Sequence, residues 1–335
     1  MTRLILLSAV LAALAGCERG GASADAPADG RLRVVTTTSL VADLAREIGG
    51  PDVAVEALMG PGVDPHLYRA RESDVARMVE ADLILYTGLH LEGKMGDVLE
   101  GVARRGIGVE PVAESVGEDA LIPASGAVAA SGGTFDPHVW MDVTLWRRVA
   151  VAVADALAAA DPAHAEAFRA RSLAYDARLD SLDAYVRRRV AEIPPERRVL
   201  VTAHDAFNYF GKAYGVDVRG LQGISTATEA GTADVRALAE FVAETRLPAL
   251  FVESSVSPRA IEAVRAAVRA RGHEVRIGGS LYSDALGGPG SGADTYIGMI
   301  RANVDVVVDG LNGTPGDGAP AARRATPSRQ ATPSR

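Results

Sequence analysis

An uninterrupted helical segment in the middle of the chain places the strongest constraint on the fold. No residue between Pro162 and Ala191 breaks a helix, and Ile193-Pro194-Pro195 comes next as a stop signal. Large apolar residues recur in this segment at helical spacing and form one stripe: Phe168, Tyr175, Leu179, Leu182, Val186 and Val190. A helix of this length spans about 40–45 Å, so it must pack against both the N-terminal and the C-terminal parts of the chain.

Short apolar strands alternate with amphipathic helices on both sides of this segment. Before it, the pattern predicts strands at 32–36, 53–58 and 83–86 and helices at 40–48 and 73–80, the first helix capped by Ser39. After it, the pattern predicts strands at 199–201, 216–218, 249–252 and 275–277 and helices near 205–214, 232–245, 258–271 and 294–309. We therefore predict an α/β protein of two lobes, each a mainly parallel sheet flanked by helices, bridged by one long rigid α-helix. The predicted boundaries are an N-terminal lobe at 31–160, a linking helix at 161–195 and a C-terminal lobe at 196–311.

The start of the chain is typical of an exported lipoprotein. Arg3 precedes a short apolar run that ends in Leu14-Ala15-Gly16-Cys17, and this ending resembles the lipobox of bacterial lipoproteins. We predict a signal peptide at 1–17 with lipid attached to Cys17; the alternative is an ordinary signal peptide with an incidental cysteine. Because Cys17 is the only cysteine, the mature chain has no disulfide and no thiolate ligand.

Both segments that flank the lobes are poor in core-forming residues. Residues 18–30 are rich in alanine, glycine and aspartate, which predicts a flexible tether. Residues 312–335 consist largely of proline, alanine, serine and arginine, with Ala-Thr-Pro-Ser-Arg repeated, and are predicted to be disordered. The net charge of −8 argues against nucleic acid as a partner, since phosphate binding needs a clustered basic face.

Two of the six histidines lie in the same tripeptide, Asp-Pro-His. His66 follows Asp64 and Pro65, and His138 follows Asp136 and Pro137. Proline restricts the backbone before each histidine, so each ring is presented on a stiff loop. From spacing alone two interpretations remain open: a pair of metal-binding histidines, or a pair of turn histidines without an ion.

His204 and Asp284 extend the metal interpretation to the second lobe. Both directly follow predicted strands, and the ends of strands are where open α/β sheets place ligands. Three imidazoles and one carboxylate suit Zn²⁺, Mn²⁺ or Fe²⁺ better than Ca²⁺ or Mg²⁺. Two ligands from each lobe predict one divalent ion in the cleft. Its affinity is expected to fall below about pH 6.5, where free imidazole becomes protonated.

Three acidic residues are candidates for a supporting role around such an ion. Asp64 and Asp136 either orient the imidazoles or only build local turns. Glu253 follows a buried strand, so it is either a partner of a ligand or part of the cleft wall. Of the remaining histidines, His90 is either an accessory ligand or, as we expect from its place near a strand end, a residue that hydrogen-bonds locally, and His164 and His273 are predicted to be surface residues.

Several ordered motifs resemble the metal-receptor family of ABC importers, solute-binding protein family 9. They are Gly62-Val63-Asp64-Pro65-His66, Ala81-Asp82-Leu83-Ile84-Leu85-Tyr86-Thr87-Gly88, Asp136-Pro137-His138-Val139-Trp140, Thr202-Ala203-His204-Asp205, Gln222-Gly223-Ile224-Ser225-Thr226, Val252-Glu253-Ser254-Ser255 and Leu281-Tyr282-Ser283-Asp284. The resemblance implies two lobes bridged by a long helix, with metal between them. The family's ligand positions fall on His66, His138, His204 and Asp284.

The resemblance also implies a function and partners. It implies an extracytoplasmic, lipid-anchored, monomeric receptor that delivers zinc or manganese to a membrane permease with its ATPase. The combination of His204 with Asp284 resembles the treponemal-type branch of the family, which accepts zinc or manganese. Residues 117–133 lack the His- and acid-rich loop that many dedicated zinc receptors carry. Two other functions compete with this one. A surface adhesin needs an exposed apolar patch; a zinc hydrolase needs an open coordination position, and neither His-Glu-x-x-His nor Gly-x-Ser-x-Gly occurs.

Overall fold

A computed structural model describes residues 30–130 and 132–313. The predicted signal peptide, Cys17, residues 18–29 of the predicted tether and residues 314–335 of the predicted tail lie outside these ranges. Among the described residues, no helix is both long enough and apolar enough to cross a bilayer.

The first half of the chain builds one parallel four-stranded sheet with the order β2-β1-β3-β4. Its strands are β1 (Leu32–Thr36), β2 (Val53–Ala57), β3 (Leu83–Tyr86) and β4 (Gly108–Pro111). Its helices are α1 (Ser39–Gly49), α2 (Glu72–Glu80), α3 (Gly96–Ala103), α4 (Gly126–Ala130) and α5 (Val143–Ala160). The predicted strands are confirmed, whereas β4 was not predicted because its short sequence contains glycine, glutamate and proline rather than an apolar run.

The predicted cap of α1 was wrong by one residue. Thr38, not Ser39, is the N-cap, and its Oγ1 accepts a hydrogen bond from the Val41 N–H at 3.3 Å. The Ser39 hydroxyl instead accepts the N–H of Leu286 at 3.0 Å. Ser39 therefore links the start of α1 to the second half of the chain.

The long helix forms as the apolar stripe predicts. Helix α6 (Ala165–Ala191) follows a 3-10 turn at Pro162–His164, so its α-helical part begins three residues later than predicted. All six stripe residues are at most 3% exposed. The helix is tied to both halves: Arg178 pairs with Glu47 of α1 at 2.6 Å, and Arg189 pairs with Asp305, in the second half, at 2.8 Å.

The second half contains two parallel strand pairs. Its strands are β5 (Val199–His204), β6 (Asp217–Gln222), β7 (Ala249–Glu253) and β8 (Arg276–Leu281), paired as β5-β6 and β7-β8. Its helices are α7 (Asn208–Tyr214), α8 (Thr232–Thr245), α9 (Arg259–Arg269) and α10 (Tyr296–Asn312). Strands β5 and β7 are neighbours, and a side chain joins their ends, because Glu253 Oε1 accepts the His204 N–H at 2.9 Å. Helix α10 continues to Asn312, the first residue of the predicted tail.

A central core joins the two halves. Because side chains alternate along a strand, Val34 points into this central core and Val35 into an outer one, and Leu200 and Val201 divide in the same way. The central core also contains the complete stripe of α6. The two outer cores each belong to one half. The four candidate ligands lie on segments from both halves of the chain.

Candidate metal centre

The four predicted ligands lie on segments whose positions follow from the fold. His66 is in the loop after β2, His204 is the last residue of β5, and Asp284 follows β8 by three residues. His138 immediately precedes a 3-10 turn, Val139–Met141, that leads into α5. Three of the four therefore lie at or beyond the carboxyl ends of parallel strands, which is where such sheets place ligands.

The structure brings all four side chains to one point. One ligand atom from each lies within 4.8 Å of the others. The His66 and His138 Nε2 atoms are 3.3 Å apart, and the Nε2 atoms of His138 and His204 each lie 3.4 Å from an oxygen of Asp284. Four ligands bound tetrahedrally at the usual Zn–N distance are separated by about 3.3–3.4 Å. Three of the separations thus already match those around one small cation, and all of them lie within 4.8 Å.

Two buried polar atoms at this point need a partner that the described part of the chain does not provide. His204 Nε2 and Asp284 Oδ1 are shielded from solvent and have no hydrogen-bond partner among residues 30–130 and 132–313. An unpaired buried polar atom costs free energy, so native proteins rarely keep one without a reason. A cation bound by both atoms supplies that reason. The mixed nitrogen and oxygen set fits a transition metal rather than Ca²⁺ or Mg²⁺.

Asp136 holds the ring of His138. Its Oδ1 accepts both the His138 N–H, at 3.0 Å, and the ring Nδ1–H, at 2.7 Å. Its Oδ2 accepts a hydrogen bond from Asn208 Nδ2 at 3.1 Å. A proton fixed on Nδ1 leaves Nε2 free to bind a metal. Asp136 therefore contacts both the backbone and the ring of His138, which favours the orienting interpretation over one in which it only builds a turn.

Glu253 holds His204 from the neighbouring strand. Besides accepting the backbone N–H, its carboxylate places Oε2 2.6 Å from His204 Nδ1. This second contact is an ion pair whose angle falls outside that of an aligned hydrogen bond. Both side chains are fully shielded from solvent. The structure thus favours the partner-of-a-ligand interpretation of Glu253 over the cleft-wall interpretation.

Asp64 behaves differently from Asp136, although the two tripeptides are identical. Its Oδ1 accepts the His66 N–H at 2.8 Å, and its Oδ2 accepts the Thr226 hydroxyl at 2.6 Å. Within the described ranges, no carboxylate forms an ion pair with the His66 ring. Asp64 therefore builds a turn and does not orient the imidazole.

The charges around the site divide the histidines into two kinds. Burial opposes protonation of His138, but Asp136 and Asp284 outweigh it and raise the pKa of His138 to about 9. Burial likewise opposes the charge on His204, yet Glu253 and Asp284 raise its pKa well above 6.5. For His66, burial prevails over Asp284 and lowers the pKa to about 3. Burial alone would raise the pKa of Asp284, but His204 and His138 hold it well below its usual value.

Two serines hold Asp284 in place, and sequence reasoning did not single them out. The Ser255 hydroxyl donates to Asp284 Oδ2 at 3.1 Å and lies 2.7 Å from the Ser283 hydroxyl. The Ser283 carbonyl accepts the indole N–H of Trp140 at 2.8 Å, so the segment before Asp284 is fixed to the His138 turn. Ser255 and Ser283 each lie within a motif that resembles the family, but nothing in their spacing indicated contact with a ligand.

The other histidines lie outside the group of four. His164 is half exposed, and its Nδ1 contacts Asp161 Oδ2 at 2.6 Å. The Nε2 of His273 contacts the Leu247 carbonyl at 2.8 Å. His90 has a positive φ of 66° and lines a cavity away from the four ligands. Accessory ligation by His90 is therefore not supported.

Comparison with known proteins relates the whole described region to metal receptors. Residues 34–310 match the family described as ZnuA, the periplasmic component A of the zinc-uptake complex. The zinc-binding protein TroA of Treponema pallidum is 49% identical over 301 residues, which are 90% of this chain and 96% of the relative. The manganese-binding lipoprotein MntA of Bacillus subtilis is 47% identical over 309 residues, 91% of this chain and 98% of the relative. The solved structure of T. pallidum TroA superposes with a TM-score of 0.80, covering 84% of this chain and 99% of that one.

Proposed function

The chain belongs to the family of periplasmic zinc-uptake component A proteins, and from this membership we propose that it captures one divalent transition metal ion outside the cytoplasm and hands it to an ABC transporter. The observation that carries the proposal is the buried convergence of three imidazoles and one carboxylate, drawn from both halves of the chain. Two of its atoms, His204 Nε2 and Asp284 Oδ1, are buried without a hydrogen-bond partner in the described ranges, and a bound cation would pair them both.

We propose that His66, His138, His204 and Asp284 are the ligands of that ion. Their spacing supports this assignment, as do the carboxylates that hold the rings of His138 and His204 with Nε2 pointing inwards. The ion is cargo, and the protein's part is to hold it and then release it unchanged. The division into lobes at 31–160 and 196–311, joined by the linking helix, is part of the same proposal, with two ligands taken from each lobe.

The cargo is zinc or manganese, and the ligand set also accepts Fe²⁺. One relative is named for zinc and another for manganese, at 49% and 47% identity, so similarity does not decide between the two metals. Intrinsic affinity does not decide either, because nitrogen and oxygen sites generally bind Zn²⁺ more tightly than Mn²⁺ whichever metal is imported.

Delivery by an ABC transporter requires a membrane permease and its ATPase as partners. We propose in addition that the receptor acts as a monomer and is held at the membrane by lipid on Cys17. The lipobox-like sequence supports the anchor, and so do the names of the relatives MntA and FimA, both described as lipoproteins. An adhesin function is not favoured, because the relatives are named for metal binding, and a family of uptake components does not favour a hydrolase.

Metal titration of chelator-stripped protein tests the proposal. Wild type is expected to bind one equivalent of Zn²⁺ and, more weakly, of Mn²⁺. His138→Ala removes a ligand and is expected to weaken zinc binding by more than about 100-fold, the upper range for loss of a mere supporting partner. His273→Ala is the matched control and should bind as wild type does, since this histidine is outside the group of four and its ring contacts the Leu247 carbonyl. Equal binding by wild type and His138→Ala would contradict the ligand assignment.

A further inference from the structure

One side-chain hydrogen bond joins the loop that carries His66 to the second half of the chain. The hydroxyl of Thr226 donates to Asp64 Oδ2 at 2.6 Å, between residues 162 positions apart. The other oxygen of the same carboxylate accepts the His66 N–H at 2.8 Å. Thr226 is only 7% exposed and Asp64 is part-buried, so the bond is partly shielded from water. A single carboxylate thus links Thr226 to the backbone of a ligand.

His66 is the ligand nearest to solvent. Its side chain is 5% exposed, whereas the values for His138, His204 and Asp284 are 0%, 0% and 1%. Among the three histidines of the group, it is also the one whose ring forms no ion pair with a carboxylate within the described ranges. The rings of His138 and His204 are held by Asp136 and Glu253, so the position of His66 depends on its backbone loop. The site is therefore least shielded on the side that His66 covers.

The backbone of the loop before His66 also approaches the second half closely. Gly62 has a φ of 70°, a conformation that favours glycine, and a Cβ placed on it would lie 3.6 Å from the Ser254 carbonyl oxygen. This packing brings the two backbones together at the rim of the site. The Thr226–Asp64 bond is the hydrogen bond that fastens the loop at this place.

We propose that Thr226 is a positioning residue whose hydroxyl latches the His66 loop and thereby sets the rate at which the bound metal leaves. The inference rests on the proposed function. Release requires the His66 loop to move away from the second half, and this movement breaks the Thr226–Asp64 bond. Asp64 is part-buried, and a hydrogen bond to a carboxylate is among the stronger ones, so its loss should speed release substantially.

Zinc dissociation from three variants tests the latch. Zinc-loaded full-length protein is mixed rapidly with excess chelator, and the release rate is recorded. Thr226→Val keeps the shape of the side chain without the hydroxyl and should release zinc about 10- to 100-fold faster, the range expected for one hydrogen bond to a charged group. Thr226→Ser keeps the hydroxyl and should stay within about threefold of wild type. Ser225→Ala is the control, because this neighbouring hydroxyl accepts a local bond from Ala227 N at 3.2 Å and, among the described residues, makes no hydrogen bond to the His66 loop.

The outcomes separate this inference from the proposed function. If wild type binds no zinc, the proposed function fails and the latch fails with it. If wild type binds zinc but Thr226→Val releases it at the wild-type rate, only the latch is overturned. Equal acceleration in Thr226→Val and Thr226→Ser would also overturn it, because the hydroxyl would then not be the cause. The melting temperature of the metal-free variants serves as the folding check.

Discussion

The carboxylate of Glu253 is expected to decide which nitrogen of His204 carries the proton. Oε1 accepts the His204 N–H at 2.9 Å, and Oε2 lies 2.6 Å from Nδ1. In Glu253→Gln, only one of these atoms remains an oxygen. If the glutamine amide nitrogen faces His204 Nδ1, then Nδ1 must accept the hydrogen bond. The ring proton then moves to Nε2, the atom that binds the metal. If the amide nitrogen faces the backbone N–H instead, two buried donors oppose each other.

Either arrangement of the glutamine should weaken zinc binding. Loss of a partner that orients a metal-bound histidine costs about 10- to 100-fold in affinity, or about 1.4–2.7 kcal/mol. Asp136→Asn is the matched comparison. There the same atom, Oδ1, receives both the His138 N–H and Nδ1–H, so an asparagine can keep both bonds. Only the contact with Asn208 must rearrange, and the loss should stay below about 10-fold.

Competition with a chromophoric zinc chelator at pH 7.5 measures both affinities, and thermal unfolding of the metal-free proteins shows that both variants fold. The expected order is wild type, then Asp136→Asn, then Glu253→Gln. Glu253→Gln binding within twofold of wild type would refute the tautomer argument. An Asp136→Asn loss equal to or larger than that of Glu253→Gln would refute it as well.

Three further predictions concern protons and packing. Carboxylates raise the pKa of His138 to about 9, so zinc must displace protons at pH 7.5 and zinc affinity should fall steadily from pH 9 to 5.5. Calorimetry in buffers of different ionisation enthalpy should detect the proton release. Zinc affinity that does not change with pH above pH 6.5 would contradict this. Burial raises the pKa of Asp43 to about 6, so its charge costs stability above that pH; Asp43→Asn can still accept the Tyr296 N–H and should gain up to about 3 kcal/mol in urea unfolding at pH 7.5, an advantage that should vanish near pH 4. Leu182→Ala in α6 should lower the free energy of unfolding by about 2–5 kcal/mol, because Leu182 is fully buried. Leu173, on the same helix, is 74% exposed, and Leu173→Ala should change that free energy by no more than about 0.5 kcal/mol. Similar losses in the two variants would contradict the burial of the apolar stripe.

Local patterns predicted the long helix and most of the strands, and they singled out the four residues that the structure brings together. Helical spacing from Phe168 to Val190 predicted α6, and short apolar runs predicted the buried strands, because these patterns report burial directly. Strand β4 was not predicted, because it lies at the edge of the sheet and its sequence contains no apolar run. The pH expected for loss of affinity, about 6.5 for free imidazole, also moves upward, since it depends on carboxylates from other segments.

The two Asp-Pro-His motifs show where sequence reasoning ends. Asp136 contacts the ring of its histidine and Asp64 does not, although the local sequences are the same. The two carboxylates differ in their distant partners: Asn208 donates a hydrogen bond to Asp136, and Thr226 donates one to Asp64. Such partners are chosen by tertiary packing, and a single sequence carries no local signal for them.

Helix α6 has a consequence for what counts as a folding unit. Its stripe belongs to the core that residues from both halves build together. Cutting the chain on either side of this helix would deprive one fragment of the surface that completes its interior, and the stripe would face water in the other. The two lobes are therefore regions of a single cooperative molecule, and neither is expected to survive as an independent module.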